Sequence, residues 1–210
     1  MYHNMNGALP SAAAPSCTPH GVTLDQPMYV TQWMFAKVFK SHLIPSTSEG
    51  TMRYYDSLAE GYELLYGDEQ RRKYRIIANR FGIGTDDAVL DVGCGSGIGS
   101  VMGCTIVGID ASEEMIRRAP FPAQVGAAED LPFPNGSFDY VVSVTAIHHV
   151  SNIARALLEI RRVGRKGYAI SFLKGSPKAA MIDRLIHTHF DVERIVDDVK
   201  DRIYILRYPR

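Results

Sequence analysis

The chain lacks any excess of charge of one sign: 23 lysines and arginines face 23 aspartates and glutamates over 210 residues. No global field therefore draws it to nucleic acid, an anionic membrane or an acidic substrate, and only local patches remain for such contacts. Cysteine is scarce. Cys17, Cys94 and Cys104 are odd in number and fall at no disulfide or metal-ligand spacing, which predicts no metal site and suits the reducing cytoplasm. No apolar run approaches the roughly 18 residues of a membrane-spanning helix, and the N-terminus lacks the basic start and compact apolar centre of a secretory signal. Internal repeats are absent as well.

What is present is the composition of an ordinary globular domain, 46% hydrophobic and 22% charged. The opening stretch "MYHNMNGALPSAAAPSCTPHGVTLDQP" is rich in Pro, Gly, Ala and Ser and carries no Asp, Glu, Lys or Arg before Asp25, so it is expected to be unstructured. Residues 28–44 are apolar, but their large side chains spread round the helical wheel and do not segregate as a membrane-lying helix requires. A helical region begins at Met52. Residues 1–51 are thus read as a disordered extension or as the product of a misplaced start codon, and 52–210 as the folded domain.

From Met52 onward strands and helices alternate. Ala88–Val92, Thr105–Ile109, Gln124–Ala127, Tyr140–Val144 and Tyr168–Phe172 are short, nearly continuous apolar runs, as expected of strands covered on both faces. Ser112 is expected to cap "EEMIRRA", Ser151 to cap "NIARALLEIRRV" with Gly164 ending it, and Ser176-Pro177 to start "PKAAMIDRLIHTHF". This order predicts an α/β fold with a doubly wound, mostly parallel sheet. "VERIV" and "RIYILR" stand too close for a crossover and should add an antiparallel edge hairpin, giving seven strands.

The segment "VLDVGCGSGIGS", 89–100, puts a glycine cluster after the first strand. It has no Gly-Lys-Ser/Thr for a phosphate loop, and its glycines miss the dinucleotide spacing. Asp91 sharpens that exclusion. A carboxylate at the strand end would repel a bound pyrophosphate, whereas a ligand ammonium would gain a charge-assisted hydrogen bond there. Asp110, closing "TIVGID" at the end of the second strand, can accept both hydroxyls of a ribose. "AAEDLPF", 127–133, follows the third strand, within reach of an adenine edge, with Leu131 or Ile109 against the ring.

Together "VLDVGCGSG", "VGIDAS", "AAEDLPFPNGSFDYVVSVTAIHHV" and the upstream "YYDSLAEGYELL" resemble the class I S-adenosylmethionine-dependent methyltransferases of the type-11, ubiquinone/menaquinone-methyltransferase-like group. The resemblance runs from about Tyr54 to Phe172 and implies a Rossmann-like methyltransferase domain over 52–210 with S-adenosylmethionine as cofactor. It implies that Asp91 and the loop Gly93, Cys94, Gly95 and Gly97 hold the methionine part, Asp110 with Ala111 the ribose, and Ala128 with Glu129 the adenine edge. Val144 and Thr145 would line the methyl-transfer side, and Tyr55 and Tyr62 would fold over the cofactor. Two departures stand out: "IGSVMG" leaves little more than one turn for the first crossover helix, and Ala127 replaces an acid that many members carry.

Methyl transfer from a sulfonium needs positioning more than acid or base assistance, so the absence of a triad is no objection. His148 and His149 in "TAIHHV" are the nearest candidate bases. Lys174 and Lys178, after the fifth strand, are candidates for a phosphate or an acidic small molecule. The Asn/Asp-Pro-Pro-aromatic motif of amino-group DNA methylases is missing, so DNA is not expected. The reading is an enzyme acting on a small molecule. Its alternatives are a tRNA, rRNA or translation-protein methyltransferase with an activator subunit, and a non-catalytic cofactor-binding subunit.

Overall fold

The computed structural model describes residues 61–208, so the segment 1–51, the alternative start Met52 and Tyr55 lie outside the described residues. Helix α1 (Tyr62–Phe81) leads into β1 (Ala88–Val92), β2 (Thr105–Asp110), α2 (Glu113–Ile116), β3 (Ala123–Val125) and β4 (Phe138–Ser143). Then follow α3 (Ile153–Val163), β5 (Gly164–Leu173), α4 (Ala179–His189), β6 (Asp191–Asp197) and β7 (Asp201–Arg207). The seven strands form one sheet in the order β3-β2-β1-β4-β5-β7-β6. β1 to β5 run parallel, and β7 is antiparallel to both β5 and β6.

Continuous apolar strands arise because both faces are covered. Leu90, Val92 and Val141 pack on one face with Leu157, Ile160, Ile182 and Ile186 of α3 and α4. Val89, Val142, Ala169 and Ile203 pack on the other with Tyr74 and Ile77 of α1. Successive strand residues point to opposite faces, so neighbours such as Val89 and Leu90 serve different cores.

The first crossover is a 3-10 helix, Ile98–Met102, flanked by left-handed Gly97 and Gly103. The expected abbreviation is therefore present. Several expected boundaries need correction. β3 ends at Val125, two residues early, because Gly126 N–H donates to the Asp110 carbonyl at 2.9 Å and the chain then turns, with Asp130 N–H on the Ala127 carbonyl. The cap of α3 is Asn152, whose side chain accepts from Arg155 N–H; Ser151 N–H donates instead to Glu129. α4 starts at Ala179 with no side-chain cap, since Ser176 Oγ accepts from Lys178 N–H within the preceding turn. Gly164 does not leave α3 in a left-handed turn. It is extended and opens β5 directly, with the Tyr168 hydroxyl within 3.1 Å of the Arg161 and Gly164 carbonyls.

The strongly one-sided α3 supplies a test. Leu157 is fully buried, while its neighbour Leu158 is 36% exposed. Leu157→Ala is expected to cost about 2–5 kcal/mol of unfolding free energy in urea titrations. Leu158→Ala should cost less than about 1 kcal/mol.

Candidate functional site

The glycine loop is built by its attachment to β2. Gly93 N–H and Cys94 N–H both donate to the Ile109 carbonyl, at 2.7 and 3.2 Å. Gly95 N–H donates to Asp110 Oδ2 at 2.8 Å, and Ser112 N–H to Asp110 Oδ1 at 2.9 Å. This hooking forces φ of 77°, 54° and 82° at Gly93, Gly95 and Gly97, values that side-chain-bearing residues adopt only with strain. The three glycines then differ. A Cβ on Gly95 would meet no atom within 4 Å, whereas one on Gly97 would run into Ala119 and Pro120.

Beside the loop lies a cavity of about 650 Å³, at the carboxyl ends of β1, β2 and β4, where open parallel sheets bind ligands. Of the residues singled out from the sequence, Gly93, Gly95, Asp110, Ala111, Ala128, Glu129, Val144, Thr145 and His149 border it. Asp91, Cys94, Gly97, His148, Lys174 and Lys178 are not among its bordering residues. Tyr62 is the first residue of α1. Sequence reasoning missed Met115, Gly126 and the run Val150–Asn152, all of which border the cavity; the turn following "IHH" was the signal available for the last.

Asp91 sits beneath the loop, fully buried. Its Oδ2 accepts from the Tyr74 hydroxyl at 2.8 Å, and its Oδ1 has no partner among the described residues. Gly99 must be glycine for the same reason, since a Cβ there would stand 2.5 Å from Oδ2. Burial drives the Asp91 carboxyl up to about 7; the Tyr74 hydrogen bond opposes this and the neighbouring Asp110 charge adds to it. Cys94 is buried against Gly108, and burial together with the Asp91 and Asp110 charges pushes its thiol well above the usual range.

These donors and acceptors fit S-adenosylmethionine. Beneath the loop, Asp91 has a carboxylate oxygen with no partner among the described residues, and a cationic amino group seated on the loop would supply a counter-charge to it. The Asp110 carboxylate is held by two N–H groups at the cavity edge, the position from which a strand-end acid can accept from a ribose diol. A phosphate at the cavity edge would meet the Asp110 carboxylate.

On the adenine side, Glu129 Oε1 accepts from Ser151 N–H (2.9 Å) and Asn152 N–H (3.0 Å). It thereby ties the loop after β3 to the start of α3. The following loop is held by Arg162, which donates to the Leu131 and Phe133 carbonyls at 2.8 and 2.7 Å, with Glu159 accepting from Leu131 N–H.

At the other end His148 and His149 stack with ring centroids 3.9 Å apart. His148 is buried, with neither ring nitrogen partnered among the described residues. Burial, then the Lys178 and Lys73 charges, lower it to about 4; burial, His148 and Lys178 lower His149 to about 3. Both rings are neutral at pH 7. Lys178 donates to the Val150 carbonyl at 3.1 Å. Lys174 donates to the Asp198 carbonyl at 2.6 Å and so braces the β6–β7 turn.

Asp91 makes stability depend on pH. Its carboxyl is raised from 3.8 to about 7 on folding, so the folded state is not penalised below pH 3.8 and loses stability as pH rises towards 7, because the unfolded chain ionises first. In cofactor-free urea unfolding, Asp91→Asn should match the parent near about pH 4 and exceed it by a few kcal/mol near about pH 8. A difference that does not vary with pH would remove the buried-carboxyl assignment.

Residues 90–172 match a family profile described as a methyltransferase domain. An uncharacterised protein of Methanocaldococcus jannaschii is 36% identical over 137 residues, 61% of this chain and 53% of that protein. Demethylmenaquinone methyltransferase of Symbiobacterium thermophilum is 30% identical over 144 residues, 58% of this chain and 57% of that enzyme. The chain thus spans about half the length of these relatives. Among solved structures, a chain of the complex between the Haloferax volcanii Trm112 methyltransferase activator and a methyltransferase superposes with a TM-score of 0.62 at 17% identity, covering 74% of this chain and 98% of that one. The matched stretch spans the strands and loops that build the cavity, and over it the chain is similar to methyltransferase domains.

Proposed function

We propose that this protein transfers a methyl group from S-adenosylmethionine to a small molecule. The observation that carries the proposal is the cavity edge itself: Asp110 anchored by Gly95 and Ser112 N–H, beside a glycine-lined wall that leaves open space at Gly95. The glycine loop would receive the methionine portion, Asp110 the ribose and the segment around Ala128 the adenine. When bound, the cofactor supplies an activated methyl group for in-line displacement, and the remaining task of the protein is to orient the acceptor.

His149 borders the cavity and, being neutral at pH 7, is able to take a proton. A base with a conjugate acid of about 3 is nevertheless a weak acceptor, so its contribution to rate is small. Quinone-methylating relatives favour the small-molecule reading.

A second reading, RNA or a translation protein as acceptor with an activator subunit, draws support from the similar structure solved in complex with the Trm112 activator. Lys178 beside the histidine pair is compatible with a phosphate-bearing acceptor. A cytoplasmic setting is proposed on the free thiols of Cys94 and Cys104.

Titration calorimetry with S-adenosylmethionine tests the assignment. The parent should bind, and Asp110→Ala should weaken binding about 10- to 100-fold, the worth of a hydrogen bond to a charged group. Asp91→Ala should also bind more weakly; unchanged affinity in both variants would defeat the proposed cofactor pose. Tritiated methyl transfer into a fractionated cell extract should label the low-molecular-weight fraction, whereas label in RNA or protein would favour the second reading.

A further inference from the structure

Two consecutive residues of α1 reach two turns that build the cavity. Tyr74 donates to Asp91 Oδ2 beneath the glycine loop at 2.8 Å. Lys73 is fully buried and reaches the turn after β4: its Nζ lies 3.0 Å from Thr145 Oγ1, from Glu69 Oε1 and from Asp201 Oδ2. All three of its N–H donors are thereby committed. Asp201, the first residue of β7, is equally buried and also accepts from Ser171 Oγ of β5 at 3.0 Å.

Thr145 is the only non-glycine residue with positive φ, 59°, among the described residues. A β-branched residue is strained there and stays only where its surroundings hold it. Both its amide and its hydroxyl are held. The N–H donates to the Ser171 carbonyl at 3.1 Å and to Ser171 Oγ at 2.9 Å. The hydroxyl lies among Asp201 Oδ2 at 2.7 Å, Lys73 Nζ and Gln70 Oε1 at 3.3 Å, so its hydrogen-bonding directions are spent on the protein itself.

The backbone angles at Thr145 set the direction in which the chain leaves β4 for Ala146. That direction matters because Ala146 stands directly against the glycine loop: a Cβ on Gly93 would come within 2.3 Å of Ala146 Cβ. Gly93, Thr145 and Ala146 all border the cavity, whereas Lys73 does not. Were Thr145 to relax to a negative φ, the chain would leave the strand at another angle and Ala146 would lose its seat on the loop.

We infer that Lys73 is a positioning residue for the cofactor site: with Asp201 it locks Thr145 in the left-handed conformation and so keeps Ala146 seated against Gly93. A buried ion pair of this kind contributes little net stability compared with apolar packing, but its directional bonds hold one backbone conformation where the polypeptide favours another. The inference rests on the reading of the cavity as an S-adenosylmethionine site.

Titration calorimetry with S-adenosylmethionine on the full chain, with circular dichroism to establish that each variant is folded, separates positioning from general stabilisation. Thr145→Ala and Thr145→Gly both lose the hydroxyl, but only glycine takes a positive φ without strain. Alanine should weaken cofactor binding about tenfold and glycine no more than about threefold. Lys73→Met should weaken binding about tenfold in the parental background and less than about threefold in the Thr145→Gly background, where the turn no longer needs its clamp. A lysine that only stabilised the fold would lower the melting temperature alike in both backgrounds and leave no advantage to glycine over alanine. Equal affinities of the alanine and glycine variants overturn the inference, and that comparison decides the matter even if Lys73→Met does not fold. An equally large effect of Lys73→Met in both backgrounds overturns it too. In either case a parent that binds the cofactor leaves the reading of the cavity standing, whereas a parent that binds none sinks that reading and this inference with it.

Discussion

The attachment of residues 93–95 to the end of β2 governs the rest of the site. Parallel pairing in the register Val92↔Ile109 brings the two strand ends level, and the Ile109 carbonyl and Asp110 carboxylate then capture three successive backbone N–H groups. A chain bent that tightly needs positive φ and little room for side chains, hence the glycines. The same bend closes over Asp91, whose Oδ1 has no partner among the described residues. It also fixes Asp110 at the cavity edge, because both of its oxygens already hold a backbone donor.

Charge is distributed unevenly around this frame. Carboxylates cluster at the β1 and β2 ends, and lysines stand near the histidine pair, where burial and the Lys178 charge keep both imidazoles neutral and Lys73 adds to the effect at His148. The buried lysine is compensated by Asp201 and Glu69, and Glu69 is bonded in turn to Lys200. Such a cluster contributes little net stability against a well-packed apolar core, but removing one member leaves another charge buried alone. Its consequence here is geometric. It joins α1, β5 and β7 at Thr145, just beyond the carboxyl end of β4.

Much of this was legible in the sequence. Short apolar runs separated by helical periods indicated a doubly wound sheet, and the tight spacing of the last two strands indicated their antiparallel pairing. Asp110 was legible as a strand-end acid, and the glycine loop as one following the first strand. Asp91 was read correctly as an unusual acid but not placed: its strand position gives the face it points to, and only the packing of Tyr74 and Gly99 shows that it lies beneath the loop. Glu129 was read as an adenine contact, and the structure gives its carboxylate two N–H partners at the start of α3. Capping at Ser151 was plausible by residue type, and Asn152 prevailed because Glu129 had taken the Ser151 amide.

Strand runs and helix faces follow from residues near in sequence, where periodicity and backbone sterics act over a few positions. The polar network does not. Thr145 meets Lys73 across 72 positions and Asp201 across 56, and nothing in the local pattern of "SVTAIHHV" distinguishes a strained, fully engaged threonine from an exposed one. Hydrogen bonds of that kind depend on which strands become neighbours, and β7 reaches Thr145 only because it inserts antiparallel between β5 and β6. Propensity and periodicity therefore define the elements and the glycine loop, while the polar network behind the cavity wall is settled only when distant segments pack together.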